Sequence, residues 1–75
     1  LILTGLSTMG DNDIITIFAN GTLIIDGGTL QNAHLDLRPG CHLIIRHNGS
    51  INMPIGSAFE APQGVLVDVE YGSIN

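Results

Sequence analysis

Thr22-Leu23-Ile24-Ile25-Asp26-Gly27-Gly28-Thr29-Leu30-Gln31 decides the fold, because the chain repeats its pattern twice more. Cys41-His42-Leu43-Ile44-Ile45-Arg46-His47-Asn48-Gly49-Ser50-Ile51-Asn52 superimposes on it, and so does Val65-Leu66-Val67-Asp68-Val69-Glu70-Tyr71-Gly72-Ser73-Ile74-Asn75. Each block is a short alternating apolar run, a Gly corner, and then Gly-(Thr/Ser)-(Leu/Ile)-(Gln/Asn). Gly28, Gly49 and Gly72 lie 21 and 23 residues apart. That period fits one coil of a three-faced β-solenoid, with three short strands and three corners per turn.

Working outward, the segments before each block match more loosely: Ile15 to Gly21, His34 to Gly40, and Ser57 to Gly64. The spacing therefore predicts coils at Ile15 to Ala33, His34 to Gly56 and Ser57 to Asn75, with residues 1–14 as a cap or degenerate coil. Helix signals are nearly absent, since no window sustains an i, i+3, i+4, i+7 apolar pattern. The expected fold is all-β: a right-handed, single-stranded parallel β-helix of about three coils, each of roughly 20 residues. Glycine is expected at the corners because it reaches positive φ without a Cβ clash. A hairpin sandwich is the competing architecture, for Asn20-Gly21, Asp26-Gly27 and Asn48-Gly49 could each be a two-residue loop. It gives no reason for the recurring Gly-(Thr/Ser)-(Leu/Ile)-(Gln/Asn).

Stacked coils predict inward columns. Leu23, Leu43 and Val67 form one, Ile25, Ile45 and Val69 a second, and Leu30, Ile51 and Ile74 a third. On the first face Ile15 and Ile17 are continued by Leu35 and Leu37, and then by Phe59 and Ala61.

Composition narrows the function classes. The chain has 75 residues, seven acidic and two basic side chains, and a net charge of −5. A domain of this size buries only ~60% of its unfolded surface. Acidity without Lys excludes a nucleic-acid partner, which needs a basic face. No stretch reaches the ~18 consecutive apolar residues of a membrane span. A single Cys41 rules out an internal disulfide. The chain starts without Met or a charged leader, and its last residues stop in mid-pattern, so it reads as a piece of something longer.

The run Asn20-Gly21-Thr22-Leu23-Ile24-Ile25-Asp26-Gly27-Gly28-Thr29-Leu30-Gln31-Asn32 resembles right-handed parallel β-helix segments of secreted surface proteins of Bacteroidetes-type bacteria. Arg38-Pro39-Gly40-Cys41-His42-Leu43-Ile44-Ile45-Arg46-His47-Asn48-Gly49-Ser50-Ile51 resembles the next coil of that pattern, and the resemblance spans about residues 15–75. It implies a rigid stalk or platform, extracellular or on a bacterial cell surface, which in that family sometimes carries polysaccharide-degrading or carbohydrate-binding sites. None of those catalytic motifs is visible here, and fold likeness alone assigns no activity.

Reactive groups are sparse. Asp26, Arg46 and Glu70 occupy equivalent positions at the ends of the apolar runs that precede their corner glycines, so coils ~4.8 Å apart would place Arg46 between two carboxylates as a surface charge ladder. His34 and Asp36 share an outward side of one strand as solvated groups, while His42 and His47 belong to another face. No three ligands converge at zinc spacing. Asp11-Asn12-Asp13 alternates oxygen ligands but lacks the Gly and distal Glu of a calcium loop. Cys41 has no base beside it, since neighbouring His42 points the opposite way, so it reads as a small buried corner residue. Asp26-Gly27-Gly28 lacks the Lys and the following helix of a phosphate loop. No catalytic, cofactor or metal site is expected.

The outer side of the middle face is more informative. Thr22, Ile24, His42, Ile44 and Leu66 would project together, with three large aliphatics exposed, as surfaces that meet a protein partner or the rest of a parent chain do. Three functions follow as expectations. The first is a structural or adhesive solenoid module without catalysis. The second is a polysaccharide-binding or polysaccharide-degrading platform whose active residues lie outside this segment. The third is a scaffold that polymerises through its open coil ends.

Overall fold

The computed structural model describes residues 1–75 and contains ten short strands and no helix. In chain order they are β1 (Ile2–Leu3), β2 (Leu6–Thr8), β3 (Ile15–Ile17), β4 (Thr22–Asp26), β5 (Thr29–Gln31), β6 (Leu35–Leu37), β7 (His42–Arg46), β8 (Ser50–Asn52), β9 (Leu66–Glu70) and β10 (Ser73–Ile74). Every pairing is parallel and joins a strand to its equivalent in the next coil. The middle face is the sheet β1-β4-β7-β9, the third face is β2-β5-β8-β10, and the first face is β3-β6 alone. The chain is a parallel β-solenoid of about three turns, not a hairpin sandwich.

Register follows the repeat residue by residue. Leu23 pairs with Leu43 and Leu43 with Val67, while Ile25 pairs with Ile45 and Ile45 with Val69. On the third face Leu30 pairs with Ile51 and Ile51 with Ile74. Ile25, Leu43, Ile45 and Ile51 are completely buried. Val67 and Ile74 are half-buried and Val69 is exposed, because β9 and β10 are outermost in their sheets. Residues 1–8 contribute β1, on Ile24 and Ile25, and β2, on Thr29 to Gln31.

The corners explain how the coils come this close. Between the first and middle faces, Phe18, Arg38 and Pro62 accept hydrogen bonds from the N–H groups of Gly21, Cys41 and Val65, at 2.9, 3.1 and 3.2 Å. The third residue of each turn, Asn20, Gly40 or Gly64, has positive φ. That conformation is what type II turns demand, and Pro39 at the second position presets it.

At the next corner the expectation about glycine is corrected. Gly28, Gly49 and Gly72 do not adopt positive φ; in this corner Gly27, His47, Asn48 and Tyr71 do. They are glycines because the neighbouring coil runs against them. A Cβ on Gly28 would fall 2.7 Å from the Gly5 carbonyl oxygen, and one on Gly49 2.8 Å from that of Ile25. Gly5, Gly28 and Gly49 in turn accept hydrogen bonds from Thr29, Ser50 and Ser73.

The first face departs from expectation in coil three, where Phe59 and Ala61 do not continue the strand column. Residues 53–65 form an arch with no strand. Pro54 and Pro62 have no N–H to offer a ladder. Their carbonyls instead close turns by accepting from Ser57 and Val65. Phe59 is half-buried against the core and Ala61 is exposed.

Ile45→Ala, in the centre of the core, should cost about 2–5 kcal/mol in denaturant melts, and Ile44→Ala on the outer side distinctly less. Equal losses would show that the two sides are wrongly assigned. Gly49→Ala should cost about 1–3 kcal/mol through overpacking. Gly5→Ala, whose Cβ would meet nothing within 4 Å, should be tolerated.

Candidate functional site

Strand alternation gives the middle sheet two sides, and its outer side collects most of the chain's polar chemistry. Three rows run across the coils there. The first is Thr22, His42 and Leu66; the second is Ile2, Ile24, Ile44 and Asp68; the third is Asp26, Arg46 and Glu70. Thr22 and Leu66 are exposed, while Ile24, His42 and Ile44 are half-buried by their neighbours. The structure therefore brings Thr22, Ile24, His42, Ile44 and Leu66 onto one continuous surface, extended by Ile2.

Asp68 also belongs to that surface. His42 Nε2 lies 2.6 Å from Asp68 Oδ2, a diagonal contact between adjacent rows and adjacent coils. The apolar stripe thus ends in a carboxylate instead of a fourth isoleucine. The signal was available, since Asp68 stands as far before Gly72 as Ile24 stands before Gly28.

The third row is asymmetric. Arg46 is in register between Asp26 and Glu70, but its guanidinium turns to Asp26, with Nη2 3.3 Å from Oδ2. Among the ion pairs of the chain, none joins Arg46 to Glu70. Asp26 is further bound by His47, whose Nδ1 meets Oδ1. His47 reaches it because its corner has one residue more than the Gly27-Gly28 corner below, and both His47 and Asn48 take positive φ to fit. Arg46 Nε is buried without a partner. The His47 hydrogen bond is the largest influence on Asp26 and holds its carboxyl below the ordinary 3.8. Partial burial opposes this, and Arg46 reinforces it.

Elsewhere, Asp36 accepts from Thr16 Oγ1 at 3.3 Å and from Arg38 Nε at 3.0 Å. His34, expected to be solvated, instead has Nε2 buried and unpaired. It lines a cavity of about 280 Å³ beneath the arch of coil three, a feature hidden from sequence because Phe59 and Ala61 alternate there as a strand would. Asp11 accepts from Asn32 Nδ2 at 2.9 Å, and Asp13 from the Gly10 N–H at 3.1 Å. The first contact ties residues 1–14 to the first coil, and the second closes a local turn. Cys41 is buried and free. No group of three His, Cys, Asp or Glu side chains has a metal-holding arrangement, and no helix is long and apolar enough to cross a membrane.

No family model matches this chain, and neither a curated protein nor a solved structure matches it.

The Asp26 cluster predicts a pH dependence. A carboxyl held below its unfolded value stabilises the fold above that value, and the contribution is lost as pH falls through the folded one. The stability difference between the native chain and Asp26→Asn should therefore be steady near neutrality and shrink below about pH 4. Urea melts at a series of pH values measure it. A difference that grows on acidification would contradict the assignment.

Proposed function

We propose that the chain is a structural or adhesive β-solenoid module of a secreted or cell-surface bacterial protein, without catalysis of its own. The carrying observation is the unbroken register of the middle and third faces, four strands deep, over a continuous aliphatic core. Such a stack is a stiff one-dimensional body whose length grows with each coil. The extracellular setting and the kinship with Bacteroidetes-type surface proteins rest on the sequence resemblance alone.

In this reading the outer face of the middle sheet is the contact surface. Thr22, Ile24, His42, Ile44 and Leu66 meet a protein partner or another part of the parent chain, and Asp26, Arg46 and Glu70 border it with charge. A glycan platform is the weaker reading, for sugar faces usually stack on aromatics and this chain has three, with no Trp.

Incubation with polygalacturonate and with heparin tests the proposal. The pure chain should release no new reducing ends and bind neither polymer tighter than about 100 μM by calorimetry, with or without calcium. Depolymerisation or tighter binding would replace the structural module with the carbohydrate platform.

A further inference from the structure

The interruption of the first face leaves an unpaired strand edge inside the molecule. Strand β6 has β3 on one side and no strand on the other, although coil three continues above it on both remaining faces. Ile15 N–H donates to the His34 carbonyl, and Arg38 N–H to that of Ile17. The even-numbered residues of this segment therefore face β3. In a parallel ladder the intervening residues present their N–H and C=O to the opposite edge. These are Leu35 and Leu37, and no backbone hydrogen bond outside the regular strands uses them. The arch of residues 53–65 makes turns at Pro54 and Pro62 and forms no backbone hydrogen bond with Leu35 or Leu37.

A cavity of about 280 Å³ lies along that edge. Its apolar wall includes Leu35, Met53 and Phe59, and its polar lining includes His34, Asp36 and Glu60. The charge at the slot is one-sided and points to a basic occupant: Arg38 neutralises Asp36 at 2.8 Å, whereas Glu60 has no ion-pair partner, in a chain of net charge −5.

We propose that this slot binds a short extended peptide segment by strand addition to β6, with an apolar side chain in the cavity and a basic side chain beside Glu60. Backbone pairing with Leu35 and Leu37 provides the affinity, and the cavity and Glu60 provide the selectivity. The site lies within the coil stack and is separate from the middle-sheet surface described above.

The test uses the whole chain and three capped pentapeptides: one alternating Lys and Val, its Glu/Val counterpart, and the Lys/Val peptide N-methylated at its Val amides. The Lys/Val peptide should bind at about 100 μM by calorimetry. At saturation it should slow hydrogen exchange of the Leu35 and Leu37 amides severalfold. The Glu/Val peptide should bind about tenfold more weakly. N-methylation should abolish binding, and Glu60→Gln should weaken the Lys/Val peptide severalfold without changing the melting temperature. Undetectable binding of the Lys/Val peptide would overturn the proposal. So would equal binding of the N-methylated or acidic peptide, or protection appearing on β1 or β9 in place of Leu35 and Leu37.

Discussion

Parallel pairing of each coil with the next requires their backbones to stay about 4.8 Å apart wherever strands pair and at the corners that join those strands. This spacing governs the rest of the molecule. At the corner between the middle and third faces it leaves no room for a side chain at Gly28 or Gly49, where the added carbon would touch backbone of the coil below. The same spacing stacks identical positions directly over one another, so one aliphatic residue per position suffices to generate a column. With Cys41 free, no covalent cross-link assists. Coil-to-coil contact supplies the cohesion, and each coil depends on its neighbours.

Much of this was legible in the chain, because a repeat converts sequence spacing into spatial register. Ile25, Ile45 and Val69 could be aligned by superimposing the apolar runs Leu23-Ile24-Ile25, Leu43-Ile44-Ile45 and Val67-Asp68-Val69, and the structure pairs them that way. The role of those glycines was less visible. Sequence suggests backbone freedom, whereas the requirement is close approach, which depends on a coil some twenty residues away. The conformational burden falls on Gly27, His47, Asn48 and Tyr71. Phe59 and Ala61 alternate as a strand would, but Pro54 and Pro62 beside them deny a ladder its donors.

The polar contacts show the same division. In-register relations such as Asp26 with Arg46 follow from aligning the apolar runs. Diagonal and corner-mediated ones do not. His42 meets Asp68 across two rows, and His47 meets Asp26 only because an extra corner residue swings its ring back. The unpaired edge at Leu35 and Leu37 was beyond reach, because it exists through the absence of a strand where the repeat promises one. In a repetitive body, departures from the repeat are where specificity accumulates. Coil three carries two such departures: Asp68 in place of a fourth outward isoleucine, and the arch in place of a strand.

Cross-strand nuclear Overhauser contacts in the isotopically labelled chain test the parallel, in-register stack most directly. The account predicts amide-to-Hα contacts linking Ile45 to the neighbourhood of Ile25 on one side and to that of Val69 on the other, with the pattern of parallel ladders. Close Hα-to-Hα contacts between β4 and β5, or between β7 and β8, would mark antiparallel hairpins around Gly28 and Gly49. They would contradict the solenoid.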